Sequence, residues 1–107
     1  MNLANYVSNG EDCFILEGII DAHAEDALKE IPKKVKHPVA RFDFSLAGRI
    51  NSMGIALILR CFKEISDKAE IRIEGLNQTH SMLFKMTGVF LLAAPVKAPV
   101  GRKEGTA

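Results

Sequence analysis

The sequence has no tryptophan, one tyrosine and only two cysteines, Cys13 and Cys61. The two cysteines lie far apart in apolar surroundings and form no Cys-x-x-Cys spacing, so we expect buried free thiols rather than a disulfide or a metal site. The histidines His23, His37 and His80 also lack the spacing of metal ligands, and we predict that they are surface residues. Neither a metal nor another cofactor is therefore expected.

A surplus of charge of either sign is also missing. The formal net charge is +1 at pH 7, with 14 basic and 13 acidic side chains, so the chain has no general attraction to nucleic acid or to a membrane surface. The basic residues Lys33, Lys34 and Lys36 have no second basic cluster or aromatic residue beside them. We interpret them as a solvated loop, and no direct contact with nucleic acid is expected.

No hydrophobic run is long enough to span a bilayer, and the start Met1–Asn5 has no basic region that leads into an apolar one. We therefore expect a cytoplasmic protein without membrane insertion. The 107 residues, 48% hydrophobic and 25% charged, have the size and composition of one soluble domain with its own core. Nothing in the composition specifies an oligomeric state.

The hydrophobic pattern of the first third predicts a hairpin followed by a helix. Leu3–Val7 and Cys13–Leu16 are typical of strands, and Ser8–Gly10 between them is a turn signal. Helical spacing of apolar residues then runs from a candidate cap at Asp21 to Pro32, where we expect the helix to end.

The pattern after the central stretch predicts another strand and another helix. Glu70–Glu74 alternates strictly, as a strand with one buried face does. The next helix should end at Gly88, and three of its apolar residues should share a core-facing stripe: Met82, Leu83 and Met86. Val89–Ala94 fits either a last strand or a short helix. We assign residues 1–94 to the domain and expect 95–107 to be a flexible tail.

The central stretch, residues 41–54, should consist of a strand, a tight turn containing Gly48, and the start of a helix that extends from about Ser52 to Ser66. Asn51 and Ser52 stand where a helix cap belongs, because their side-chain oxygens can accept from unpaired backbone N–H groups of the first turn. The same N–H groups and the helix dipole favour negative charge, so a phosphate on Ser52 would be tolerated. A role of Ser52 as a cap and nothing more is the structural alternative.

The predicted helix has an apolar face and a polar face. The face that should pack on the sheet carries Ile55, Ile58, Leu59, Phe62 and Ile65. Arg60, Lys63 and Glu64 lie opposite. On or beside that second side lie Met53, Ala56 and Leu57, close to Ser52. Such an apolar patch around a chargeable serine would suit a docking surface that a phosphate controls.

The order strand, Asn51-Ser52-Met53-Gly54, apolar helix resembles the signature of the STAS family (sulfate transporter and anti-sigma factor antagonist). That signature is Asp-Ser-Ser/Thr-Gly, and its first serine is phosphorylated by an anti-sigma factor kinase. Ser52 matches that serine, whereas Asn51 replaces the usual Asp and Met53 the usual Ser or Thr. The segment Leu16–His23 is similar to the family's first strand-to-helix junction, which implies that Asp21 lines the same site. A cap alone is the alternative for Asp21.

The resemblance extends from about Leu3 to Ala94 and includes the closing pattern Thr87–Phe90. It implies a single α/β STAS-like domain in which a central, mostly parallel sheet of about four to five strands packs against about three to four helices. Because no catalytic constellation or phosphate-binding glycine-rich loop can be assembled, we do not expect an enzyme.

The function implied by the resemblance is that of a bacterial anti-sigma factor antagonist, a phosphoprotein that regulates transcription by partner switching. Unphosphorylated Ser52 would permit binding of an anti-sigma factor that is a serine kinase with an ATPase-like fold. Phosphorylation would release that partner, and a serine phosphatase would restore binding. The contact surface would consist of Asp21, Asn51, Met53, Gly54 and Leu57. The alternative is a STAS accessory subunit or scaffold of a membrane transport or signalling complex, without a switch.

Overall fold

The computed structural model describes residues 1–96. Within them, six strands and three α-helices follow one another along the chain. The strands are β1 Asn2–Ser8, β2 Glu11–Ile20, β3 Val39–Asp43, β4 Ala47–Ile50, β5 Glu70–Glu74 and β6 Ala94–Pro95. The helices are α1 Glu25–Lys34, α2 Ser52–Ser66 and α3 Gln78–Thr87, and 3₁₀ turns span Ala22–Ala24 and Val89–Leu91.

The strands form one mixed sheet in the order β1-β2-β3-β5-β6, and β4 pairs with β2 beyond the end of β3. Only β1 runs antiparallel to its neighbour among these pairs. The predicted α/β fold with a mostly parallel sheet is therefore confirmed. The strand count is higher than expected because residues around Gly48, predicted as a turn, continue as β4, whose Ala47 and Ile50 lie in register with Gly18 and Ile20.

A two-residue turn at Asn9 and Gly10 joins β1 to β2, as the sequence predicts. Both residues have positive φ, 52° and 74°. Positive φ at both central residues is characteristic of a type I′ turn, whose twist matches that of the two strands of a hairpin. Asparagine and glycine tolerate this conformation better than other residues. The turn therefore fixes the register in which Ser8 lies opposite Glu11.

The helices cover one face of the sheet. On that face Phe42 of β3 is fully buried, and its ring centroid lies 5.0 Å from that of Phe14 and 4.8 Å from that of Phe62 in α2. Phe44 packs edge-on against Phe84 of α3 at 5.2 Å. Aromatic pairs at these distances contribute beyond the burial of their area. They join the centre of the sheet to α2 and α3.

The opposite face of the sheet is polar and partly exposed. Arg41 bridges two carboxylates there: its Nε lies 2.9 Å from Glu11 and its Nη1 lies 3.0 Å from Glu74. The hydrogen bond with Glu11, followed by the one with Glu74, raises the pKa of the Arg41 guanidinium despite its partial burial. This face thus needs no covering helix.

The first helix does not end at Pro32, contrary to the prediction. α1 continues to Lys34, and Val35 donates its N–H to the Pro32 carbonyl. Proline removes one backbone donor, and in the last turn this costs a single bond to Leu28 rather than the continuity of the helix. The C-terminal segment combines both predicted alternatives, because the 3₁₀ turn at Val89–Leu91 precedes β6.

Of the three α3 residues predicted to face the core, Leu83 is partly buried and packs against it, but the prediction is wrong for Met82 and Met86, which lie on the surface. Met82 and Met86 are 58% and 78% exposed, whereas Phe84 is fully buried. His80, predicted on the surface, is only 4% exposed. His80 and Phe84 are four positions apart and therefore lie on one face of α3. That face packs against the core.

Both cysteines are buried and free, as expected. Burial raises the pKa of the Cys61 thiol to about 12. Val96, the last residue described, donates its N–H to Ile73 of β5. Residues 97–107 of the predicted tail lie outside the described part of the chain.

Candidate functional site

Ser52 begins α2 at the edge of the sheet where parallel strands β2 and β4 end. β2 finishes at Ile20 and β4 at Ile50, directly before Asn51. The N–H of Asn51 donates to the carbonyl of Ile20 at 3.3 Å, which fixes the approach of the loop to β2. The carboxyl edge of parallel strands is where sites of α/β proteins usually form.

Asn51 is the cap of α2. Its backbone is extended, and its Oδ1 accepts the N–H of Gly54 at 2.8 Å. The first intrahelical bond runs from Ile55 to the Asn51 carbonyl at 2.9 Å. The N–H groups of Ser52 and Met53 precede that bond, and so the helix itself supplies them with no acceptor.

Because Asn51 performs the capping, the hypothesis that Ser52 is the cap is wrong. Ser52 is the first residue of α2 and is exposed. Its hydroxyl is therefore accessible to a modifying enzyme. A phosphate on it would lie beside backbone donors and the positive end of the helix dipole.

Gly54 positions the helix and is buried, so it does not contribute a contact surface of its own. A methyl group on its Cα would overlap the Ile20 carbonyl, and it would also approach Ile50 Cγ2 at 3.2 Å. Only glycine permits this close contact of α2 with β2. The glycine of the motif thereby holds Ser52 at the sheet edge.

Asp21 follows Ile20 directly and so lies next to the residue that accepts from Asn51. Its Oδ1 accepts the N–H of His23 at 2.9 Å and caps the 3₁₀ turn, with the His23 Nδ1 at 3.3 Å. The His23 N–H bond is the main cause that lowers the pKa of the Asp21 carboxyl, ahead of the opposing effect of burial. Asp21 is therefore a cap whose side chain remains 30% exposed, and it follows the last residue of β2 directly.

Leu57 does not lie on the surface near Ser52, and its predicted place in the contact patch is wrong. It is 4% exposed, whereas Met53, one turn earlier, is 52% exposed. The prediction assumed that only the sheet covers α2. The helix also packs against α1 and both 3₁₀ turns, so a second stripe, which includes Leu57 and Cys61, is buried as well.

Two exposed apolar residues at this edge were missed by the sequence analysis. Ile19, near the end of β2, is 55% exposed, and Leu46, before β4, is 57% exposed. Their segments are in contact, because the N–H of Gly18 donates to the Leu46 carbonyl at 3.0 Å. The available signal was a nearby glycine, since Ile19 directly follows Gly18 and Leu46 lies two residues before Gly48. With Met53 they form what we term the edge patch: Ile19, Leu46 and Met53.

Among residues 1–96, no group of three or more His, Cys, Asp or Glu side chains could hold a metal ion. In the same part of the chain, no helix has both the length and the apolar character needed to cross a membrane.

Three solved structures of anti-sigma factor antagonists resemble this one. An anti-sigma factor antagonist from Mycobacterium paratuberculosis has a TM-score of 0.76 at 12% identity, over 94% of this chain and 88% of that chain. The anti-sigma factor antagonist SpoIIAA, unphosphorylated, has a TM-score of 0.70 at 16% identity, over 96% and 95%. Phosphorylated SpoIIAA of Bacillus has a TM-score of 0.64 at 13% identity, over 96% and 98%. The fold is that of the STAS-type anti-sigma factor antagonists.

A sulfate transporter family protein from Wolinella succinogenes shares this STAS fold, with a TM-score of 0.70 at 12% identity, over 80% of this chain and 73% of that chain. No sequence-family model and no curated protein matches the chain. The STAS-like fold that the resemblance at residues 51–54 implies is thus confirmed.

Proposed function

We propose that this protein is an anti-sigma factor antagonist that binds its partner only while Ser52 is unphosphorylated. The partner is an anti-sigma factor with serine kinase activity and an ATPase-like fold, and a serine phosphatase reverses the modification. The STAS domain itself catalyses no reaction, and it needs neither a cofactor nor a metal. Its output is the release of a sigma factor, and hence a change in transcription.

The observation that carries this proposal is the division of roles between Asn51 and Ser52. Asn51 Oδ1 satisfies the Gly54 N–H, so the stability of α2 does not depend on the Ser52 hydroxyl. Ser52 is exposed at the start of a helix, beside Met53 of the edge patch. An accessible hydroxyl that the fold does not use is what a reversible modification requires.

The switch follows from desolvation and charge. The edge patch favours a partner because apolar area is removed from water on binding. A phosphate on Ser52 carries a charge of about −1.5 to −2 at pH 7, and burying it against a partner is costly unless it is paired. The Asp21 carboxylate, whose pKa is lowered, adds negative charge at the same edge. Phosphorylation therefore opposes the same contact that the apolar side chains promote.

The test is a capture experiment from the source cells followed by affinity measurement with the captured partner. The baits are the native chain, Ser52→Ala, and protein phosphorylated at Ser52. We expect the native and alanine baits to retain a kinase-like anti-sigma factor, and the phosphorylated bait to lose it. Met53→Lys should weaken the same complex, because it introduces a charge into the edge patch.

Ser66→Asp is the matched control, because Ser66 is exposed at the opposite end of the same helix. It adds negative charge without touching the edge patch and should leave binding unchanged. Equal retention of the partner by the native and phosphorylated baits would contradict the switch.

A second candidate is a STAS subunit or scaffold of a membrane transport or signalling complex. The likeness to the sulfate transporter family protein favours it. It requires a partner whose binding does not depend on the state of Ser52. The same baits distinguish the two functions, since a scaffold would hold its partner in every phosphorylation state.

A further inference from the structure

The outer edge of β1 is an open sheet edge. β1 has seven residues, and each of them lies opposite a residue of β2, from Asn2 opposite Glu17 to Ser8 opposite Glu11. β3 and β4 lie on the other side of β2. Within residues 1–96, β1 therefore pairs on one side only, and alternate N–H and C=O groups of its backbone point away from the sheet.

This edge lacks the features by which proteins usually prevent pairing with another chain. The strand Asn-Leu-Ala-Asn-Tyr-Val-Ser contains neither a charged residue nor a proline, although lysine, proline and bulges are the common protections. Tyr6 and Val7 are 50% and 58% exposed. The opposite edge of the sheet differs, because β6 consists of two residues and one of them is Pro95.

We propose that β1 pairs with β1 of a second copy of this chain, antiparallel about a two-fold axis through Asn5, to form one continuous sheet. Asn5 is the middle residue of β1, so this register pairs all of Asn2–Ser8. Leu3 then lies opposite Val7 of the second copy, and Ala4 lies opposite Tyr6.

The register places like with like. Directly opposed residues of an antiparallel pair project to the same face of the sheet, so Leu3 and Val7 meet on the helical face and Ala4 and Tyr6 meet on the polar face. A shift of the axis by one residue would place Asn5 opposite Leu3 or Val7. Because the strand carries no charge, no like charges are opposed in either copy. A self-complementary strand of this kind favours a second copy over an unrelated partner.

The geometry makes the dimer weak and compatible with the proposed switch. A strand of seven residues spans about 24 Å, and a single strand pair buries less than the roughly 800 Å² per partner of a stable interface. The dimer should therefore form at high protein concentration. In the antiparallel pair, the two-fold axis places the two Ser52 sites at opposite ends of the paired strands. Both sites therefore remain open in the dimer.

The experiment is sedimentation equilibrium of the full chain from micromolar to millimolar concentration. We expect the mean mass to rise from one chain towards two. Val7→Lys and Tyr6→Lys should each weaken association at least tenfold. Met82→Lys, at an apolar residue of α3 that is 58% exposed like Val7, should leave it unchanged.

Disulfide trapping tests the register separately. Asn5→Cys should form a cross-linked dimer under mild oxidation at least ten times faster than Ser8→Cys, because two Ser8 positions lie about 20 Å apart in this register. In the native chain, hydrogen exchange of the outward β1 amides should slow as concentration rises. A constant monomer mass with concentration-independent exchange would overturn the proposal, and so would equal cross-linking of both cysteine variants.

Discussion

The Nε2 atom of His80 lies 2.8 Å from the carbonyl oxygen of Gly48, and this hydrogen bond ties the first turn of α3 to β4. A carbonyl oxygen only accepts, so the imidazole carries its proton on Nε2. The other ring nitrogen, Nδ1, is buried and has no hydrogen-bond partner among residues 1–96. Because β4 leads directly into α2, the hydrogen bond connects α3 with α2 through β4, in addition to their contacts with the core.

His80→Gln should retain most of the stability, whereas His80→Asn should lose about 1–3 kcal/mol. The glutamine amide nitrogen can reach the position of Nε2 and donate to Gly48, and the shorter asparagine cannot, which leaves the partly buried Gly48 carbonyl without this donor. Urea unfolding of both variants checks this. Equal losses would show that the bond to Gly48 does not account for the role of the ring.

Asn51→Ala should lower the free energy of unfolding by about 1 kcal/mol, because it removes the acceptor of the Gly54 N–H. Ser52→Ala should change the stability by no more than about 0.5 kcal/mol, as an exposed residue without a structural partner does. Thermal unfolding of the pair makes the comparison. A larger loss for Ser52→Ala than for Asn51→Ala would assign the cap to the serine.

Gly54→Ala should be strongly destabilising, by about 3 kcal/mol or more, because the new methyl group would overlap the Ile20 carbonyl and force α2 away from β2. Gly48→Ala provides a control from the same region. Its added methyl would meet its nearest neighbour at 3.4 Å, an ordinary contact, and a much smaller loss is expected. Chemical denaturation measures both, and a mild effect at Gly54 would contradict the close packing.

The stability of the fold should decrease in acid because of Asp12. This carboxyl is 2% exposed; burial opposes its ionisation, but the N–H groups of Lys36 and His37 and the His37 ring outweigh burial and lower its pKa from 3.8. A lowered pKa in the folded state stabilises the fold above the unfolded value and loses that contribution as the pH falls through the folded value. We expect Asp12→Asn to be less stable at pH 7.

Unfolding curves between pH 7 and pH 2 measure this contribution. The difference between the native chain and Asp12→Asn should shrink as the pH falls below about 4. A difference that stays constant over the whole range would exclude Asp12 as a source of the acid sensitivity.

Local signals predicted most of the fold. The hairpin turn requires positive φ at two residues, which asparagine and glycine tolerate, and the periodic apolar residues after Asn51 define α2 with its observed limits, Ser52–Ser66. Both signals depend on residues close together in the chain. The hairpin turn and α2 can therefore be predicted from the sequence without knowledge of the tertiary structure.

Contacts between distant segments explain the failures. Leu57 shares a helix face with Met53, but the neighbouring helix and turns cover only Leu57. Histidine is a polar residue type that is expected on the surface. The burial of His80 depends on its hydrogen bond with the carbonyl of Gly48, 32 residues earlier. The segments that contain Ile19 and Leu46 lie side by side because β4 pairs with β2, an arrangement that the sequence pattern did not indicate.

The loop that presents Ser52 has little conformational freedom left to lose. Asn51 is bonded to Ile20 through its backbone and to Gly54 through its side chain, and Gly54 rests against β2. A partner that docks there would pay ordering entropy mainly for side chains such as Met53, about 0.5–1.5 kcal/mol for each one immobilised. Recognition at this edge should therefore proceed by rigid docking. A difference in partner affinity between unphosphorylated and phosphorylated Ser52 should arise from the charge of the phosphate and not from a movement of the backbone.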